Sequence, residues 1–131
     1  MRIVLQKKRT FLPEFNKNKT LPPKEQIVVE FEKPNARQRR LLRKNIYQNE
    51  GPQEGISFEV ITDDEALIKE IPCSLKNYFI AEDGKEREVA TLKELYELPG
   101  ESSKLFTEIV NEIMKEDITA DDLKNSASAS A

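Results

Sequence analysis

Chemistry needs particular side chains, and the first observation is which of them this chain lacks. There is no histidine, which removes the usual general base at neutral pH and the usual metal ligand. A single cysteine, Cys73, cannot form an internal disulfide or a cysteine-based zinc site. No serine–histidine triad can be built, and the four glycines at 51, 55, 84 and 100 fit neither a P-loop nor a dinucleotide-binding turn. Aspartate and glutamate are plentiful at 24 residues, so a two-carboxylate hydrolase is formally conceivable. Nothing in their spacing singles out a pair, and neither enzymatic activity nor a cofactor or metal is expected. Cys73 has no basic neighbour to activate it and reads as a small core residue.

The most concentrated charge is ARQRRLLRK, which gathers Arg37, Arg39, Arg40, Arg43 and Lys44. Such a cluster could grip phosphates, with steep salt dependence, or an acidic protein surface. The pI near 5.2 and the absence of interleaved aromatic residues before Tyr47 favour a protein partner over nucleic acid. Residues 1–50 hold 13 Lys and Arg against 5 Asp and Glu, whereas residues 51–131 hold 8 against 19. This asymmetry fits two halves facing each other in one fold, ordinary solvated faces, or head-to-tail self-association.

The elements that would position these groups follow from periodicity. The clearest is Ser102 to Lys115, where Leu105, Phe106, Ile109, Val110, Ile113 and Met114 share one helical stripe. The stripe reads either as core or, where exposed, as a helix-in-groove docking surface built on Leu105, Phe106, Ile109, Val110 and Ile113. Arg2 to Leu5 reads as a strand, paired with the alternating run Gln26 to Glu32. Residues 6–25 read as a loop pinned by Phe11, Leu12 and Phe15. Asn35 caps a helix from Ala36 to Tyr47 with a narrow stripe of Leu41, Leu42 and Ile46. Residues 56–62 could be strand or helix, and a capping box at Thr62–Glu65 opens a helix from Asp63 to about Glu70, ended by Pro72. The cluster Cys73, Leu75, Tyr78, Phe79 and Ile80 reads as a helical turn or short strand. Asp83-Gly84 reads as a turn. A second capping box at Thr91–Glu94 opens a short helix to about Leu98, and Thr119–Asp122 begins a last short turn.

The fold class expected is α+β: a small N-terminal antiparallel β-hairpin, a mostly helical body and a disordered C-terminal tail. Residues 1–125 would form one domain, with the hairpin and its long loop in 1–34 and the helical part in 35–125. Residues 126–131, alternating Ser and Ala, hold nothing that could build a core. No apolar run reaches the ~20 residues a membrane helix needs, and no signal-peptide pattern follows the basic N-terminus, so an intracellular location is expected.

Three blocks together carry a resemblance. The first is Phe11, then Asn18-Lys-Thr-Leu-Pro22, Gln26-Ile-Val-Val29 and Pro34 before a charged helix. The second is Ser74-Leu-Lys-Asn77, Asp83-Gly84-Lys85 and Leu95 to Pro99. The third is the helix at 102–115 with Thr119, Asp122 and Leu123-Lys-Asn-Ser126. Their order resembles small proteins from the tail-gene region of long non-contractile-tailed bacteriophages and prophages, the tail assembly chaperones. The resemblance implies a non-catalytic factor in the bacterial host cytoplasm that coats the tape measure protein and recruits tail-tube protein. It also implies a minor, longer product made by ribosomal frameshifting. The alternatives are a connector or tail completion protein that stays in the virion, and a nucleic-acid-binding module on the basic helix.

Overall fold

The computed structural model describes residues 1–49 and 56–115, with side chains for 1–44 and 61–115. Its centre is an antiparallel sheet of β1 (Lys8–Phe11), β2 (Val28–Glu32) and β5 (Cys73–Lys76), in the order β1-β2-β5. The register places Phe11 and Leu75 on either side of Val29, and Arg9 and Cys73 on either side of Phe31. Successive strand residues face opposite ways, so these six share one face. Val29, Phe31 and Leu75 are buried there, and Phe11 meets Phe31 edge-on at 6.0 Å between ring centroids.

Helix α4 (Ser102–Met114) supplies the apolar surface that closes the core. Leu105, Phe106, Ile109, Val110 and Ile113 are all buried in one cluster with Val29, Phe31 and Leu75. Removing five such side chains from water is worth on the order of 10 kcal/mol gross. That outweighs any exposed ion pair, each worth under about 1 kcal/mol. Leu67 and Ile71, in and just after α2 (Asp64–Glu70), join the same cluster with Leu92 and Leu95 of α3 (Leu92–Tyr96). Among the described residues, two further sheets are separate two-stranded ribbons: β3 (Arg43–Asn49) with β4 (Ile56–Thr62), and β6 (Phe79–Glu82) with β7 (Lys85–Glu88).

Three expectations are corrected. The body is not mostly helical, because strands β3 to β7 run through it; the chain is α+β with three small antiparallel sheets. The cause is short-range pairing. Asp83 and Gly84 both take positive φ, at 53° and 77°, which lets β6 and β7 fold back tightly. The apolar cluster from Cys73 likewise becomes a strand, because it completes the unpaired edge of β2.

The helix expected over Ala36–Tyr47 stops at Leu41 as α1 (Ala36–Leu41). Leu42 is buried but Leu41 is half exposed, so the stripe is too narrow to hold a longer helix against the core. The β-branched and aromatic residues that follow pair with the alternating run 56–62, which settles that stretch as strand.

The first strand is Lys8–Phe11 rather than Arg2–Leu5. Phe11 fills the place opposite Val29, and Ile3, Val4 and Leu5 stay 72%, 82% and 77% exposed. Helix α2 is capped by Asp63 rather than Thr62, since Thr62 is the last residue of β4; the Asp63 carboxylate accepts from the Ala66 amide at 3.2 Å. The Thr91 cap of α3 and the capping box of Asn35 with Gln38 are present as expected. The turn at 119–122 and the tail at 126–131 lie outside the described residues.

Candidate functional site

The basic cluster does not form one continuous patch. Arg37 and Arg40 are exposed on α1. Arg39 is half-buried and turns the other way, donating from Nη1 to the carbonyls of Met114 and Lys115 at 3.3 and 3.4 Å. It thereby satisfies the C-terminal end of α4, where carbonyls lack helical partners and a cation is favoured. Lys44 pairs with Asp63 at 3.4 Å. The Ala66 amide, aided by Lys44, holds the Asp63 carboxyl below the usual carboxylate range. Arg43 is exposed and also engaged. The sequence therefore identified the right charges but not their division of labour, since helix spacing does not reveal which arginine meets the end of another helix.

The other candidate set, Leu105, Phe106, Ile109, Val110 and Ile113, is core. Of the two readings of that stripe, burial is the one the structure displays. What α4 offers outward is polar. Glu108 accepts from the backbone amides of Glu14 and Phe15 at 2.6 and 3.0 Å, and Glu112 takes Arg9 of β1 at 2.5 Å. Both flank an open groove of about 710 Å³ between β1, the 3-10 segment Phe15–Thr20 and α4. Lys19, on the same groove, pairs with Glu14 at 3.3 Å. The acidic side chains there serve as ties between elements.

A buried polar knot was not foreseen. Asn18 is 1% exposed; its amide donates to the carbonyls of Pro13 and Ile27 at 3.0 Å each, and its oxygen accepts from the Ile27 amide at 2.6 Å. Asn77, at positive φ of 66°, donates to the carbonyls of Lys24 and Gln26 at 3.1 and 2.9 Å. Two asparagines thus give residues 12–27 their path, where the sequence offered only an aperiodic loop. The available signal was asparagine itself, which tolerates left-handed backbone and bonds locally to the chain.

Cys73 is half-buried between β2 and the helices, and burial pushes its thiol up to about 12. A thiol held neutral is a poor nucleophile. Among the described residues no cluster of three His, Cys, Asp or Glu could hold a metal ion, and no helix is long and apolar enough to cross a membrane. No protein-family model matches the chain, and no curated protein or solved structure is significantly similar to it.

Proposed function

We propose that this chain is a non-catalytic assembly factor of the tail-chaperone type, which binds a tape measure protein, tail-tube subunits or both in the bacterial host cytoplasm. The observation that supports the reading is that the blocks carrying the resemblance are joined in the fold. Asn18 and Gln26–Val29 of the first block meet Ser74–Asn77 of the second through the β2–β5 ladder and the Asn77 hydrogen bonds. Helix α4 of the third block closes the core against both. The residues that look familiar therefore build one scaffold.

With the apolar stripe of α4 buried, the partner-binding surface belongs to exposed charge, and Arg37 and Arg40 on α1 are the residues that would meet an acidic partner. Phage particles test the reading against that of a virion component. Mass spectrometry of assembling lysates should find this chain together with a minor longer product sharing its N-terminus, and purified particles should lack both. Stoichiometric retention of the chain in finished particles would overturn the chaperone reading in favour of a connector or completion protein.

A further inference from the structure

Two parts of this molecule are unfinished in complementary ways. The first is the run Arg2–Lys7, RIVLQK. Its centre is β-branched and aliphatic, the composition of a strand, yet Ile3, Val4 and Leu5 are largely exposed. Its ladder to the rest of the chain begins only at Lys7, whose carbonyl accepts from the Lys33 amide at 2.7 Å. The second is the β6–β7 ribbon. Among the described residues β7 has β6 as its only strand partner, and all four of its residues are exposed. Two-stranded ribbons are marginal, and a third strand is what makes such a unit stable. An open row of amides and carbonyls is a template for such a strand.

Charge selects between the possible pairings. Arg2, Lys7, Lys8 and Arg9 flank the run, so two such runs laid side by side would repel. The exposed face of the ribbon carries Glu86 opposite Ala81 and Glu88 opposite Phe79, with Phe79 itself 50% exposed. A strand alternates its faces, so RIVLQK presents either Arg2 with Val4 or Lys7 with Ile3 and Leu5 on that side. Either register sets a cation beside the glutamates and an aliphatic side chain near Phe79.

We infer that residues 2–7 of one copy of this chain add as a third strand to the open edge of β7 in a second copy. The joint is head-to-tail. It matches the opposite charge balance of the two halves of the sequence and does not depend on the proposed function. Main-chain hydrogen bonds supply affinity, and the basic–acidic match supplies the choice of edge.

Sedimentation velocity on the full chain across a broad concentration series, at low and moderate salt, tests this with two variants. Val4→Pro removes a ladder donor from the run, and Glu86→Lys with Glu88→Lys reverses the edge. All three positions are exposed, and circular dichroism checks that the fold is kept. The parent chain should show a mass that rises reversibly with concentration and falls with salt, and each variant alone should associate about tenfold more weakly or less. An equal mixture of the two variants should recover a complex of twice the monomer mass, because each lacks a different half of the joint. A parent that stays monomeric throughout, a Val4→Pro chain that assembles as the parent does, or a mixture that stays monomeric would each overturn the inference.

Discussion

Asn18 is the residue on which the path of the first thirty residues turns. It satisfies two buried carbonyls and one buried amide with a single side chain. Replacing it with alanine strands all three groups, and each buried group left unpaired costs about 1–3 kcal/mol. Asn18→Ala should lower the unfolding free energy by about 2–4 kcal/mol in urea titration. Asn16→Ala, at an exposed position of positive φ without a printed side-chain role, should cost under about 1.5 kcal/mol. Cys73 gives a second prediction at this scale. With its folded pKa raised to about 12, the thiolate is scarce at pH 8 and becomes abundant only near that value. Iodoacetamide should therefore modify the folded chain at least ~100-fold more slowly than the urea-unfolded chain at pH 8, with the folded rate still climbing above pH 10. Equal rates in the two states would show the thiol to be free of its surroundings. The sign carries over to stability. A thiol easier to ionise when unfolded contributes stability that is fully present below the unfolded value and is lost as pH rises above it.

At the scale of elements, legibility followed the width of the apolar pattern. Helix α4 was readable because five of its residues share a stripe broad enough to be buried whole. Ile109 sits at its centre and is fully buried, so Ile109→Ala should cost about 2–5 kcal/mol. Thr107, exposed on the opposite face, should change stability by under about 0.5 kcal/mol when replaced by alanine. Strand β2 was readable for the same reason at period two, since Val29 and Phe31 alternate against Glu30 and Glu32. Helix α1 was readable at its start, where the Asn35 and Gln38 side chains close a reciprocal cap at 2.8 and 2.9 Å. Its end was not readable, because Ile46 and Tyr47 suit either a narrow helix stripe or a strand. The competitor that won is the pairing partner 56–62, which lies across a connection and leaves no trace in the local period. Strand β1 was misplaced because both Ile3–Leu5 and Lys8–Phe11 can alternate, and only the register against Val29 separates them.

At the scale of the whole molecule, the charge asymmetry was visible in the sequence but its use was not. Part of it is spent inside the fold, where Arg9 reaches Glu112 and Arg39 caps the end of α4. The remainder stays on the surface, on Arg37 and Arg40 on one side and Glu86 and Glu88 on another. The candidate site was therefore half legible. The arginines were found by composition, whereas which of them face outward depends on contacts more than seventy residues apart, such as that between Arg39 and Met114. The account's central claim is that this surface captures a partner during tail assembly. The direct test is co-expression with the tape measure protein and the tail-tube protein encoded beside it, followed by size-exclusion chromatography of the soluble fraction. The account predicts that the tape measure protein is soluble only with this chain and co-elutes with it. It also predicts that Arg37→Glu with Arg40→Glu abolishes capture while leaving the thermal midpoint within a few degrees. A tape measure protein whose solubility is indifferent to this chain, with no co-elution at low salt, would contradict it.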